Sequence, residues 1–348
     1  KINNVEIDEI SVSNIIRGIQ INEIIYQRKD LDNHYKPITL IKRDSKIRNP
    51  YNEYNFHEFR PIAVFPNINN EFSPDIRTHV GSPERVVFAG YGIKAVTEIQ
   101  FNRNLTLYSS INHSIEDNFD QKVSRPTSVL EHVRTEIVDY LQATSNTTYI
   151  SKLNLERIWS PASDVYAKLS FGLLESMYGG FASEILYKPH GGRFALSYEL
   201  NAIKQRSYEQ RFEFKKYKTN TSHINLAFYD PKSNILIKWS YGKYLARDKG
   251  YTLDMSRRMP SGWQAGVYFT RTDVPPRIFG EGSFDKGFYI NVPHNIFRKK
   301  YSKNSTGFNF KPLTRDGGQK LELQNKLIDS FYGSTKIEIN ENWNSFRN

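Results

Sequence analysis

Along residues 194–205, "FALSYELNAIKQ", apolar and polar side chains alternate almost without interruption. Phe194, Leu196, Tyr198, Leu200 and Ala202 share one side of an extended chain. Ala195, Ser197, Glu199, Asn201 and Gln205 share the other, with Ile203 as the one intruder. A period of two belongs to a pleated strand, whose successive side chains point to opposite faces. The same period recurs over 86–101, 151–159, 165–173, 234–244, 251–258 and 263–270. Segments of about ten residues suit tilted strands that cross a bilayer, whereas strands of globular proteins average about five or six. Tight turns are predicted at "KPHGG" (188–192), "DPKSN" (230–234), "ARDKG" (246–250) and "MPSG" (259–262). The longer polar stretches 205–222, 272–285 and 293–306 read as loops.

Two regions depart from this rhythm. Residues 1–45 hold two β-like runs, "NNVEIDEISVSN" and "IQINEIIYQRKDL", around a short "IIRG" link, and "NPYNEYNFHE" (49–58) follows as a polar linker. Residues 113–148 read as irregular, except that "TSVLEHVRTEIVDYLQA" carries Val129, His132, Val133, Glu136, Ile137, Tyr140 and Leu141 at helical spacings. One short helix is expected near 127–142, as a plug, a lid or a cap. The expected division is a small N-terminal α/β or β module over 1–48, a strand-rich domain over 49–335 and a tail over 336–348.

Alternation alone does not say which solvent lies on each side. Hydrophobic residues make up 38% of the 348 residues, mean hydropathy is −0.61, and the aromatic fraction is 14%. A helical membrane protein needs apolar runs of roughly 18 residues, and none occurs. The profile fits a β protein with one wet face, either a transmembrane barrel whose lumen dilutes the hydropathy or a soluble sandwich. The absence of cysteine excludes disulfides and thiolate metal sites. The net charge of +11 suits anionic lipid or an acidic polymer. With no zinc-finger spacing and no RNA-binding aromatic motif, nucleic acid is not an expected partner. The histidines share no ligand spacing, so neither a metal nor another cofactor is expected.

In a barrel the polar faces line the lumen. Lys168, Glu184, Glu199, Lys238 and Arg258 fall there, and cations among them would attract an acidic polymer. Tyr166, Tyr268 and Tyr289 share the polar parity and offer aromatic faces to a sugar ring. In "TRDGGQ" (314–319) Arg315 either contacts Asp316 or binds a sugar carboxylate through its guanidinium. "EGSFDKG" sets Glu281 and Asp285 four apart, a spacing open to acid–base work on glycans or to a plain solvated loop. No nucleophile elbow or Walker loop occurs.

The segments "VRTEIVDY" (133–140), "GGFASEILYKP" (179–189), "KQRSYEQRF" (204–212), "GKYLARDKGYTLDMSRRMPSGWQAGVYFTRTDV" (242–274), "FGEGSFDKGFYINVP" (279–293) and "PLTRDGGQKL" (312–321) follow one another in this order. In these stretches the chain resembles the YjbH family of outer-membrane proteins of exopolysaccharide and capsule gene clusters. The resemblance implies an outer-membrane β-barrel that helps an exopolysaccharide reach the surface of a Gram-negative cell. It also implies that the chain corresponds to the second half of a longer protein, with residues 1–48 as a periplasmic module. Expected partners are outer-membrane lipid, exopolysaccharide, the N-terminal half and other export proteins. The family brings no catalytic residues, and no enzymatic activity is expected. The fold expected is all-β: a transmembrane antiparallel β-barrel of about 12 or more strands. The competing readings are a soluble β-rich carbohydrate-binding protein and a glycan-active enzyme using Glu281 and Asp285.

Overall fold

The computed structural model describes residues 8–27, 46–48, 64–80, 87–122, 128–259, 262–279, 283–293, 305–311 and 314–331. Three strands, β1 (Glu9–Ile16), β2 (Ile19–Gln27) and β3 (Lys46–Arg48), form a small antiparallel sheet. Arg17 and Gly18 make the β1–β2 turn, both with positive φ (49° and 77°). Such a turn matches the twist of its strands, and a Cβ at Gly18 would collide with the Arg103 carbonyl.

The remaining thirteen strands form one antiparallel sheet in which every strand pairs with its sequence neighbours. They are β4 (Asn67–Val80), β5 (Val87–Gln100), β6 (Leu105–Asp117), β7 (Thr148–Ala162), β8 (Val165–Leu173), β9 (Tyr178–Tyr187), β10 (Phe194–Arg206), β11 (Phe214–Asp230), β12 (Ile235–Lys243), β13 (Lys249–Arg258), β14 (Gln264–Thr272), β15 (Asp285–Pro293) and β16 (Ser305–Phe310). The end strands β4 and β16 run in the same direction, and among the described residues no ladder joins them. The expected closed barrel is therefore, in the described ladder, a thirteen-stranded antiparallel sheet.

Most connections at one end of the strands are short, 101–104, 163–164, 188–193, 231–234 and 259–263, with 294–304 the one longer connection there. The β1–β2 hairpin packs at this end, which we call the hairpin rim. At the opposite rim 174–177 and 244–248 are as short, but 118–147, 207–213 and 273–284 are longer. The first of these longer connections holds a helix at Ile137–Ala143. The helical spacing predicts more, but residues 128–136 form bends instead. The N–H groups of Val133, Arg134 and Thr135 point at Asp316 rather than opening a helical turn. Two further expectations are corrected. The polar stretch 205–222 is strand from Phe214 onward, and β6 runs to Asp117, inside the region read as irregular.

The faces are inverted relative to a soluble sandwich. Along β10, Leu196 and Leu200 are 48% and 45% exposed, while Glu199 and Asn201 are 6% and 1% exposed. Apolar residues turn outward on neighbouring strands as well, including Phe171, Ile185, Ile224, Trp239 and Val267. No second layer of the described structure covers them. The inner face holds polar side chains, with an apolar cluster near each rim. At the hairpin rim Ile19 and Ile21 pack with Ile158, Tyr166, Leu186, Tyr229, Leu236, Leu327 and Phe331. At the other rim Val133, Tyr140, Leu174, Met177, Tyr178, Leu245 and Leu321 pack around Ile203. The intruder in the alternation of β10 is thus a member of the inner cluster of that rim.

Candidate functional site

The concave face of the sheet is occupied by the chain's own segment 314–331, which runs from the helix-bearing rim to the hairpin rim. Its near end is anchored by Asp316. Oδ1 accepts from the backbone N–H groups of Val133 (2.9 Å), Arg134 (2.8 Å) and Thr135 (3.0 Å), and Oδ2 from the Thr135 hydroxyl (2.8 Å). Arg134 meets Glu175 through two bonds, at 2.7 and 3.1 Å, and donates to the Lys320 carbonyl at 2.9 Å. Glu175 in turn accepts the Glu322 N–H at 2.8 Å. Asp248, in the β12–β13 turn, accepts the Gly318 N–H at 2.7 Å. Burial raises the Asp248 carboxyl above its ordinary range, and this hydrogen bond pulls it back.

The far end is held by Lys168, which donates to the carbonyls of Gln324 (3.1 Å) and Asn325 (3.0 Å). Glu184 lies 3.7 Å from Lys168 and accepts the Leu327 N–H at 3.0 Å. Arg17 of the hairpin donates to Asn325 Oδ1 and to the Tyr108 hydroxyl, each at 2.6 Å. The hairpin, the sheet and the strap are thus tied together at one rim. Sequence-distant backbone groups that would be unsatisfied in a dry interior find side-chain partners along the whole strap.

Between strap and sheet lies a cavity of about 500 Å³. Its lining includes Lys152, Glu199, Lys238, Asp254, Tyr268, Asp285 and Tyr289 from the strands, and residues 318–324 and Lys326 from the strap. Glu199 accepts from Asn225 at 2.9 Å and lies 3.9 Å from Lys326. Lys238 sits 3.8 Å from Asp254 and 3.5 Å from Asp329. The Tyr289 hydroxyl donates to Asp254 at 3.0 Å.

The residues singled out by alternation divide between two situations. Glu199, Lys238, Tyr268 and Tyr289 come together around this cavity. Lys168 and Glu184 bind the strap, and Tyr166 is buried against Phe331, ring centroids 4.3 Å apart. Arg258 has the inward parity near the hairpin rim and is half-buried. Arg315 is half-buried in the strap, and Asp316 is satisfied by residues 133–135. Asp285 is buried at the cavity, while Glu281 lies outside the described residues. Sequence reasoning missed Arg134, Glu175, Lys320 and Lys326, which act through the strap. It also missed Arg206, a fully buried side chain that donates to the carbonyls of Ile150, Glu175 and Arg211. Among the described residues no group of acidic, histidine or cysteine side chains could hold a metal, and no helix is long and apolar enough to cross a membrane.

These features define an all-β protein whose antiparallel sheet turns apolar rows outward and packs a polar inner face around an internal strap. The model of the YjbH family, described as exopolysaccharide biosynthesis protein YbjH, matches residues 2–332, and the chain belongs to this family. It is 32% identical over 264 residues to a protein of Escherichia coli (strain K12) called uncharacterized lipoprotein YjbH, covering 74% of this chain and 37% of that protein. The chain thus spans a little over a third of the length of that relative. Among solved structures, OmpF of Salmonella typhi in complex with daunomycin aligns with a TM-score of 0.34 at 9% identity, over 70% of this chain and 89% of that one. A loop-deletion variant of the outer-membrane protein OmpT of Vibrio cholerae aligns with a TM-score of 0.30 at 9% identity, over 64% and 87%.

Proposed function

We propose that this chain forms the wall of an outer-membrane β-barrel that takes part in the export or assembly of an exopolysaccharide. The observation that carries the reading is the inversion of the faces. Rows of Leu, Ile, Phe and Trp are exposed on the convex side while Glu, Lys and Asn are buried on the concave side. In water such rows form an exposed apolar surface far beyond what a monomeric soluble protein carries. Against hydrocarbon they are in their preferred solvent, and a barrel alternates lipid-facing and lumen-facing residues in this way. Short turns in bacterial barrels face the periplasm. The hairpin rim is then the periplasmic side, and the 1–48 module is a periplasmic element. The relative's designation as a lipoprotein supports an envelope location.

The strap makes this interior a plugged lumen rather than an open pore. Polymer transfer would use the cavity beside the strap or require the strap to move. The N-terminal half of the longer family proteins and other export components are the proposed partners. Fractionation tests the membrane part. The protein is expected in the outer-membrane fraction, released by detergent and retained through alkaline carbonate washing. A folded chain that stays in solution without detergent would sink it. Loss of surface polymer on deletion, restored by the intact gene, tests the exopolysaccharide part.

A further inference from the structure

Two tyrosines on the inner wall are laid flat by glycines. Gly266 faces Tyr289 across the β14–β15 pair, and Tyr268 faces Gly287. A Cβ added at Gly266 would come within 2.6 Å of the Tyr289 hydroxyl oxygen, and one at Gly287 within 2.6 Å of that of Tyr268. Each ring therefore lies over the backbone of a residue that has no side chain, as aromatic residues do when they cover glycines in a sheet. The two rings form a reciprocal pair, and both line the cavity. A flat aromatic surface in a polar cleft matches the C–H faces of a pyranose ring. The volume, about 500 Å³, falls in the range of small-ligand sites.

The polar groups around this platform are not all satisfied by one another. Glu199 has Lys326, Asp254 has Tyr289 and Lys238, and Glu322 has Lys311 at 3.9 Å. Lys152 donates to the neutral Gln324 side chain at 2.8 Å. Lys320 lines the same cavity and makes no side-chain hydrogen bond or ion pair among the described residues. The Tyr268 hydroxyl is buried and has no hydrogen-bond partner among the described residues. A buried hydroxyl left unmade costs its desolvation, and native structures rarely leave one without a reason. Among the described residues, one lysine without a side-chain hydrogen bond or ion pair and one unpartnered hydroxyl thus sit on the same cavity as the platform.

We propose that this cavity is a binding subsite for an acidic saccharide unit, its ring stacked on Tyr268 and Tyr289 and its carboxylate held by Lys320. The Tyr268 hydroxyl then bonds a ring substituent. This rests on the exopolysaccharide reading and specifies the sugar class for which the lumen is built.

The test uses the full-length protein in detergent micelles, with trigalacturonate as the acidic probe and maltotriose as the neutral one, by isothermal titration calorimetry. Trigalacturonate is expected to bind, and maltotriose to bind about tenfold more weakly or not at all, as loss of a charge-assisted contact predicts. Tyr268→Ala and Lys320→Gln are each expected to weaken trigalacturonate about tenfold or more. Tyr268→Phe keeps the stacking face and should lose less. Lys232→Gln, on an exposed turn at the hairpin rim, should bind as the parent does. Unchanged thermal unfolding separates lost contacts from lost folding. No binding of trigalacturonate by the parent, equal binding of the two probes, or full affinity in both Tyr268→Ala and Lys320→Gln would overturn the subsite. The secretion assay discriminates the two levels. Polymer lost on deletion but normal in both variants removes the subsite and leaves the export reading intact. Trigalacturonate selectivity without any polymer defect on deletion keeps the subsite and removes the export reading.

Discussion

Replacing Leu200 by arginine tests the membrane wall most directly. Leu200 is the seventh of the thirteen residues of β10, so it lies midway between the rims. Thirteen residues at about 3.3 Å each give roughly 43 Å along the strand, which a tilt of about 40° reduces to roughly 33 Å of height. That spans the apolar band of an outer-membrane barrel, about 25 Å tall, with Leu200 near its middle. An arginine there costs about 2–4 kcal/mol, and close to an interface about 0–1 kcal/mol. The matched control is Val87→Arg. Val87 is outward-facing and 44% exposed but is the first residue of β5, at the rim. Reversible urea unfolding in lipid vesicles, followed by the fluorescence of outward tryptophans such as Trp239 and Trp263, reads both. Leu200→Arg should shift the folding equilibrium by roughly 30- to 700-fold, and Val87→Arg by less than about tenfold. In a protein whose convex face meets water, both would be surface substitutions within about 0.5 kcal/mol of neutral. Equal, near-zero effects would refute the assignment of hydrocarbon to the outer rows.

Two further predictions concern the strap. Asp316→Ala leaves the N–H groups of Val133, Arg134 and Thr135 without their acceptor, and should destabilise the protein by about 2–3 kcal/mol in equilibrium unfolding. Limited proteolysis of the folded protein should then cut near residues 128–136 before any strand. Glu175→Gln breaks a nearly buried ion pair and should cost about 3–5 kcal/mol, while Arg134→Met combined with Glu175→Leu should recover only part of that loss, because the Glu322 N–H and the Lys320 carbonyl then lose their side-chain partners. Unfolding of Arg134→Met, Glu175→Leu and their double variant measures the coupling, and strict additivity would count against a shared anchor.

The strands legible in the sequence are those with one apolar and one polar face. β8, β10, β12, β13 and β14 lie within a few residues of where alternation sets them, because a sheet with one apolar and one polar face imposes a period of two. β4 carries a sparser version of the same signal, Ile68, Phe72, Ile76 and Val80 on one side against Glu71, Ser73, Asp75, Arg77 and His79 on the other, and is absent from the segments read as strands. It is an end strand with Pro74 in its middle, and proline is tolerated where one edge of the ladder is unpaired. The start of β11 was hidden by Lys215, Lys216 and Lys218, which read as a loop. The strap was the least legible part. Its contacts run between groups far apart in the chain, such as Thr135 and Asp316, 181 residues apart. They use backbone N–H and C=O groups that leave no trace in composition. Alternation assigned Lys168 and Glu184 correctly to the inner face, but no periodicity could reveal that a segment of the same chain occupies them.

The parallel direction of β4 and β16 has a topological consequence. Joined edge to edge, they would make a parallel seam in an otherwise antiparallel wall. A seamless antiparallel enclosure requires an odd number of additional strands between them. The total is then even, and the new strand next to each edge runs against it.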